Sequence, residues 1–274
     1  MDHITGPEYA YTAVTAGVDI GSTMTKAVVL QGDRVVGKAL IPTGADHKKV
    51  AESALNLALR ETDLTREEIV YLVGTGYGRV NIPFANKQVT EITCHAKCIA
   101  EMFPGTGTII EIGGQDSKAI RLSPEGKVED FVMNEKCAAG TGRFLQMVAS
   151  TFGISLEEMN QLAMNAPQAI PIHNFCAVLA QQEIISLLSR DYQSGDILAG
   201  LFESFAHRIV KMAATIGISG KIVLTGGGSK HPAFQKAIQR ELNKPVLVPE
   251  EPFMTGAIGA AILARERYKK RVRV

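Results

Sequence analysis

The sequence has no long hydrophobic run and no marked excess of charge of either sign. Its 274 residues contain no apolar stretch long enough to cross a membrane, so no membrane-spanning helix is predicted. Lysine and arginine number 29 against 28 aspartates and glutamates, a balance that argues against nucleic acid as a partner. The first eleven residues are polar and lack the apolar core of a signal peptide, so the expected compartment is the cytoplasm.

Cysteine is scarce, and two common nucleotide-binding signatures are missing. The four cysteines are Cys94, Cys98, Cys137 and Cys176. In a reducing compartment they do not form a disulfide framework, so each is a buried apolar residue, a metal ligand or a catalytic thiol. No G-x-x-x-x-G-K-[ST] loop occurs, and the GTGYG string at residues 74–78 lacks the spacing of G-x-G-x-x-G.

The sequence does contain an internal repeat. The segment Asp19-Ile20-Gly21 corresponds to Glu111-Ile112-Gly113, and the TKAV string at residues 25–28 corresponds to SKAI at residues 117–120. In each copy a predicted strand ends near an acidic residue, a glycine loop follows, and a second strand begins. The repeat therefore predicts two half-domains, each presenting a glycine loop and a carboxylate.

Three glycine-rich loops follow predicted strands. Backbone N–H groups and hydroxyls in such loops bind phosphate oxygens, and a nearby lysine adds positive charge. The candidate phosphate-binding residues are Gly21, Ser22, Thr23, Lys26, Gly113 and Gly114, and the third loop, after the strand at residues 221–225, comprises Gly226, Gly227 and Gly228.

These loops, in this order, resemble those of the acetate kinase, sugar kinase, heat-shock chaperone and actin superfamily. The resemblance implies an α/β fold with two ribonuclease H-like lobes around a nucleotide cleft, the actin-like ATPase fold. We expect a tail over residues 1–13 and a first lobe over 14–105. The second lobe, over 106–274, would hold the second phosphate loop, Cys137, Cys176 and the adenosine loop. Asp19 and Glu111 would position Mg²⁺ for ATP, and Gln115 or Asp116 would orient the attacking water.

The remaining segments have simpler patterns. Apolar periodicity and capping residues predict helices over residues 48–61, 91–103, 155–164, 177–188, 195–216 and 232–242, a strand over 245–248, and a last helix from Thr255. Cys94 and Cys98 are expected to be packing residues of their helix. Cys137 and Cys176 both lie near predicted helix starts, where partial positive charge lowers the pKa of a thiol.

Two cysteines per chain do not complete a four-cysteine iron–sulfur site, but two chains related by a two-fold axis would. From spacing alone, buried structural cysteines are the favoured interpretation and the shared cluster is the alternative. A second resemblance bears on this choice. The strings CAAGTGRFL at residues 137–145, CAVLA at 176–180 and IGGQDSK at 112–118 are similar to the activator ATPases of 2-hydroxyacyl-CoA dehydratases. That family includes the ATPase subunits of ATP-dependent benzoyl-CoA reductases and the reductases of double-cubane cluster proteins.

The resemblance covers about residues 17–264. It implies a dimer holding one [4Fe–4S] cluster, with Cys137 and Cys176 of each subunit as ligands. ATP hydrolysis to ADP would drive a low-potential electron to an iron–sulfur dehydratase, reductase or double-cubane protein, with ferredoxin or flavodoxin as donor. A homodimer and a heterodimer with a paralogous subunit are both open. Two other functions stay as alternatives: a small-molecule kinase of the sugar-kinase type, and a non-catalytic actin-like assembly protein.

Overall fold

The computed structural model describes residues 12–135, 140–173 and 176–272. Its strands are β1 (Val14–Ile20), β2 (Met24–Gln31), β3 (Arg34–Pro42), β4 (Ile69–Thr75), β5 (Lys87–Gln88), β6 (Thr106–Ile112), β7 (Ser117–Leu122), β8 (Val128–Asn134) and β9 (Lys221–Thr225). Its helices are α1 (His47–Leu59), α2 (Glu91–Met102), α3 (Gly142–Phe152), α4 (Leu156–Met164), α5 (Ala177–Leu188), α6 (Ser194–Ala214), α7 (Pro232–Leu242) and α8 (Thr255–Val272).

The chain divides into two compact units. The first comprises Met1–Pro104 with Met254–Val274, and the second comprises Gly105–Phe253. We expected the last helix to belong to the second lobe, whereas the structure groups α8 with the first unit. The physical reason is close packing: a Cβ atom at Gly17 would overlap the carbonyl oxygen of Ala257, and one at Gly259 would overlap that of Cys94. Bare glycines thus let α8 lie directly against β1 and α2.

The first unit is a five-stranded mixed sheet with the order β3-β2-β1-β4-β5. The first three strands are antiparallel neighbours, and β4 runs parallel to β1. Helix α1 begins where the Asp46 side chain accepts a hydrogen bond from the Lys49 N–H at 3.0 Å, an N-cap that satisfies one of the free amides of the first turn. The helix buries its alanine and leucine face, including Ala51, Leu55 and Ala58, as the apolar spacing predicts.

The second unit repeats this sheet. Its order is β8-β7-β6-β9, with three antiparallel neighbours and β9 parallel to β6. The order matches β3-β2-β1-β4 strand for strand, so the repeat and the α/β fold class predicted from the sequence are confirmed. The core of this unit packs α6 against the sheet and its neighbouring helices, and ring contacts connect Phe144 to Phe205, Phe205 to Phe234 and Phe234 to Phe202.

Two local predictions differ from the structure. The predicted strand at residues 245–248 is reduced to a single parallel bridge between Leu247 and Val223, because Pro245 lacks the N–H that a longer ladder needs. The helix predicted to start at or just after Cys137 begins at Gly142 with Thr141 as its N-cap, and Cys137 itself lies outside the described residues. In the described part of the chain, no helix combines the length and the apolar character that membrane crossing requires.

Candidate functional site: glycine loops at the strand ends

Loop 1, residues 21–23, joins β1 to β2 and lies beside an ion pair. Asp19, near the end of β1, is 4% exposed, and its Oδ2 accepts a hydrogen bond from Lys26 Nζ at 3.0 Å. Ser22 and Thr23 are exposed at the tip of the loop, whereas the Gly21 N–H is used to close the turn by donating to the Met24 carbonyl at 3.1 Å. The tip therefore presents two hydroxyl side chains above a buried, paired carboxylate.

Thr43 fixes loop 1 from the end of β3. Its N–H donates to the Thr23 carbonyl at 3.0 Å and its hydroxyl donates to the Gly21 carbonyl at 2.8 Å. The Thr25 hydroxyl lies 3.0 Å from that of Thr43 and acts as the donor, since the Thr43 hydrogen is already used. These three hydrogen bonds thus hold a short polar loop in one conformation. A loop that is already ordered loses little conformational freedom when it binds a ligand.

Loop 2, residues 113–116, repeats this geometry in the second unit. Glu111 is 6% exposed, and its Oε2 accepts from Lys118 Nζ at 2.7 Å. The Gly113 N–H closes the turn on the Asp116 carbonyl at 2.9 Å. Gln115 is exposed and Gly114 partly exposed. The two predicted acidic residues therefore have the same local environment, a carboxylate near a strand end paired with the lysine seven residues later.

Loop 3, residues 226–229, follows β9. Gly226 has a φ of 81°, a backbone conformation that favours glycine, and its N–H donates to the Pro252 carbonyl at 2.8 Å. A Cβ atom at Gly226 would lie 2.8 Å from Glu111 Oε1, and one at Gly227 would meet nothing within 4 Å. Gly226 of loop 3 thus lies close to the Glu111 carboxylate at the end of β6, whereas Gly227 is exposed.

The first unit has a counterpart of loop 3 that the sequence analysis did not assign to the site. The T-G-x-G string at residues 75–78 follows β4, as the T-G-G-G string at 225–228 follows β9. Gly76 has a φ of 86°, and a Cβ atom there would overlap Asp19 Oδ1. The Gly78 N–H donates to the Ile20 carbonyl at 2.9 Å. The shared T-G-x-G string was the sequence signal for this loop.

Replacing Gly76 by alanine is expected to cost clearly more stability than replacing Gly44. Both glycines have positive φ, but a Cβ atom at Gly44 would meet nothing within 4 Å, whereas one at Gly76 would overlap Asp19 Oδ1 and the Ile20 carbonyl oxygen. Gly44→Ala should cost about 1 kcal/mol of backbone strain; Gly76→Ala should cost roughly 3 kcal/mol because overlap adds to the strain. The thermal unfolding midpoints measure the difference. Equal midpoints would mean that the packing around Asp19 yields to the new atom.

Helix α3 is attached to loop 2 by its first turn. The Gly142 N–H donates to the Gly113 carbonyl and the Arg143 N–H donates to the Gly114 carbonyl, both at 2.9 Å. The first N–H groups of a helix have no partner within the helix, and here loop 2 provides two. The N-terminal end of α3, with its partial positive charge, therefore lies directly against loop 2. The peptide that leads into this turn contains Cys137, which lies outside the described residues.

Cys176 lies at the start of α5, as the sequence predicts. It is the N-cap residue and its side chain is exposed. At this end of α5 the backbone N–H groups of Leu179 and Val178 lower the pKa of the Cys176 thiol below its ordinary value of 9.0, and the positive charge of Arg208 acts in the same direction. A lowered thiol pKa favours the thiolate, which is the form that binds metals.

The other two described cysteines are of a different kind. Cys94 and Cys98 are buried in α2. Burial raises the pKa of Cys94 to about 12 and raises that of Cys98 as well. Both are packing residues, as predicted. Within residues 12–135, 140–173 and 176–272, no group of three or more His, Cys, Asp or Glu side chains is arranged to hold a metal ion.

Comparison with known proteins assigns the family. The sequence matches the BadF/BadG/BcrA/BcrD ATPase family over residues 16–264. It is 41% identical over 258 residues to the activator of lactoyl-CoA dehydratase of Anaerotignum propionicum, covering 94% of this chain and 99% of the relative. It is 39% identical over 257 residues to the 2-hydroxyisocaproyl-CoA dehydratase activator of Clostridioides difficile, covering 93% of this chain and 96% of the relative.

The fold agrees with this assignment. A solved structure of the Clostridium difficile activator of 2-hydroxyisocaproyl-CoA dehydratase, with ADPNP bound, superposes with a TM-score of 0.89 at 38% identity. The match covers 95% of this chain and 97% of that chain. The family match spans residues 16–264 and so includes residues of both units. The chain belongs to the BadF/BadG/BcrA/BcrD ATPase family.

Proposed function

We propose that this protein is a reductive activator that couples ATP hydrolysis to the transfer of a low-potential electron to an iron–sulfur acyl-CoA dehydratase or reductase, or to a double-cubane protein. The observation that carries the proposal is the pair of hydrogen bonds from the first turn of α3 to loop 2. They join a candidate phosphate-binding loop to the start of α3, and Cys137 precedes that start by five positions in the sequence. The names of the relatives support the same kind of partner.

ATP binding is assigned to the glycine loops. The proposed phosphate contacts are the hydroxyls of Ser22 and Thr23, the ammonium group of Lys26, and backbone N–H groups of Gly114 and Gln115. The Gly21 and Gly113 N–H groups already close turns, so these glycines serve the shape of each loop. Loop 3, with Gly227 exposed, is assigned to the adenosine. Phosphoryl transfer depends mainly on positioning and charge stabilisation, which hydrogen-bonded loops beside paired charges would provide.

The carboxylates of Asp19 and Glu111 fit a role in placing Mg²⁺. Carboxylate oxygens are ligands that Mg²⁺ prefers, and it usually keeps several waters when it binds with nucleotide phosphates. Both side chains are buried and each is paired with a lysine, so each is oriented before any ligand binds. In the proposed reaction these two residues would hold Mg²⁺ beside the phosphates, and residues of loop 2 would orient the attacking water.

The residues near Cys176 fit a cluster shared by two chains. The thiol is exposed at a helix N-terminus with a lowered pKa, and Cys137 would be the second ligand from each chain. A [4Fe–4S] cluster supplies a one-electron carrier at low potential. After Cys176, α5 exposes Val178, Leu179 and Ile185, which are 61%, 48% and 50% exposed. An apolar helix face beside the cysteine suits burial against a second subunit, either an identical chain or a paralogue.

The proposed coupling of ATP hydrolysis to electron transfer depends on the order of loop 2, Cys137 and α3 along the chain. A change in the phosphates bound by loop 2 shifts Gly113 and Gly114, and their carbonyls are hydrogen-bonded to the first turn of α3. Cys137 precedes Gly142 by five positions in the sequence, and in the proposed mechanism this shift would act on that cluster ligand. An electron from ferredoxin or flavodoxin would then pass, through the cluster that Cys137 and Cys176 would hold, to the partner enzyme.

The first test is the fate of the γ-phosphate. Protein purified without oxygen is expected to release inorganic phosphate from Mg–ATP without any acceptor, and to start ATP-dependent dehydration by a purified 2-hydroxyacyl-CoA dehydratase supplied with a reductant. Transfer of phosphate to a sugar without release of inorganic phosphate would contradict the proposal and indicate a kinase. ATP-dependent sedimentation as long polymers, with no dehydratase activation, would indicate an assembly protein instead.

A further inference from the structure

Lys118 is a buried cation paired with two carboxylates, that of Glu111 at the end of β6 and that of Asp116 in loop 2. Its side chain is 2% exposed, and its Nζ lies 2.7 Å from Glu111 Oε2 and 2.8 Å from Asp116 Oδ2. Burying a lysine is costly unless acceptors compensate the charge. The side chains of Lys118, Glu111 and Asp116 therefore form one ion-pair cluster, in which each partner limits the movement of the others.

The equivalent position in the first unit lacks the second carboxylate. Lys26 pairs with Asp19 at 3.0 Å, and its side chain is 15% exposed. Met24 occupies the place of Asp116, because both residues provide the carbonyl that accepts the turn-closing N–H, from Gly21 and Gly113 respectively. The repeat thus keeps the strand-end carboxylate and the lysine in both units, and adds Asp116 only in loop 2.

Both oxygens of Asp116 lie near neighbouring groups, one on β7 and one in loop 2. Oδ2 is paired with Lys118, and Oδ1 lies so close to Gly113 that a Cβ atom there would overlap it. A general base must reach the proton that it removes, and a carboxylate held between an ammonium group and a glycine has little freedom to do so. Gln115, one residue earlier, is exposed at the tip of the same loop.

We propose that Lys118 and Asp116 are positioning residues, which hold Glu111 and the shape of loop 2, and that Gln115 is the residue of this loop that contacts the attacking water. This inference rests on the proposed ATPase function and resolves the choice between Gln115 and Asp116. Gln115 acts through its side-chain amide, which accepts from the water and donates to a phosphate oxygen. Asp116 acts through Lys118 and the Gly113 turn.

The test compares Gln115→Ala with Asp116→Asn in steady-state ATP hydrolysis over a range of pH. Gln115→Ala is expected to lower kcat by about a hundredfold with little change in KM for ATP, because the loop itself is intact. Asp116→Asn keeps the shape and an acceptor for Lys118, and should lower kcat by only about tenfold, as supporting residues do. Any fall of kcat toward acid pH that the unaltered protein shows, the acid limb of its profile, should persist in Asp116→Asn.

The opposite order would overturn the inference: a larger loss of kcat in Asp116→Asn, together with disappearance of the acid limb, would make Asp116 the general base. Absence of ATP hydrolysis in the unaltered protein is a separate result, which would refute the proposed function and this inference with it. Hydrolysis by the unaltered protein with the reversed order of variants would refute the inference alone.

Lys118 needs a variant that folds. Lys118→Met would leave two carboxylates without their counter-charge and is expected to unfold the second unit, so the informative variant is Lys118→Arg, which keeps the charge. A positioning role predicts a lower kcat, by about tenfold, with KM for ATP unchanged. A raised KM with unchanged kcat would mean that Lys118 binds a phosphate directly, and would overturn its assignment.

Discussion

Replacing Cys176 by alanine is expected to remove the iron from this protein. The unaltered protein, purified without oxygen, should contain about two irons per chain, since one [4Fe–4S] cluster is shared by two chains. Cys176 is the exposed N-cap residue of α5 with a lowered thiol pKa, and losing one ligand from each chain leaves a cluster with half of its thiolates. Iron and acid-labile sulfide analysis with a visible spectrum measures the result.

Cys98→Ala is the matched control for this experiment. Cys98 is also a cysteine on a helix, but it is buried and its Sγ lies 3.4 Å from Met102 Sδ. Its replacement should leave the iron content unchanged. Iron retained in Cys176→Ala would contradict the ligand assignment, and iron lost from both variants would indicate that the protein had unfolded. Cys137→Ala should behave as Cys176→Ala does, which tests the ligand whose position the structure does not describe.

Replacing Asp19 by asparagine is expected to abolish ATP hydrolysis while leaving the iron in place. Asp19 is buried at a strand end and paired with Lys26, and asparagine keeps its shape but removes the negative charge that would orient Mg²⁺. The expected loss of kcat is on the order of a thousandfold. Phosphate release, measured beside iron content on the same sample, separates the two functions.

The control for charge is Asp63→Asn, an exposed aspartate of the first unit. It should hydrolyse ATP at the unaltered rate, because a solvated carboxylate contributes little to the fold or to a distant site. Loss of iron together with loss of ATP hydrolysis in Asp19→Asn would argue against separate sites for the nucleotide and the cluster. Retained hydrolysis would show that Asp19 has no part in the reaction.

Local features of this protein were predictable from the sequence. The repeat of Asp19 with Lys26 and of Glu111 with Lys118 was visible because strand–loop–strand units depend on residues close together in the chain. The boundaries of α5 and α7, both free of gaps in their apolar pattern, agree with prediction. The start of α5 at Cys176 was predicted for the same reason, since helix starts are decided by a few neighbouring residues.

Features that depend on distant residues were not predictable. The T-G-x-G string at residues 75–78 was not assigned to the site from the sequence, because its approach to Asp19 arises only when β4 lies parallel to β1. The strand predicted at residues 245–248 was wrong, because a short apolar run does not indicate whether a partner strand will pair along its whole length. For helix α8, the order of residues did not indicate that its glycines would pack against β1 and α2.

The sequence by itself determined the family, the repeated acidic and glycine-loop residues, and most helix boundaries, because these depend on local residue order. Only the tertiary structure decided that α8 belongs to the first unit, that Asp116 shares Lys118 with Glu111, and that α3 begins on the carbonyls of loop 2. Each of these arises from close approach or charge pairing between side chains and backbone groups whose distance in space the order of residues does not specify.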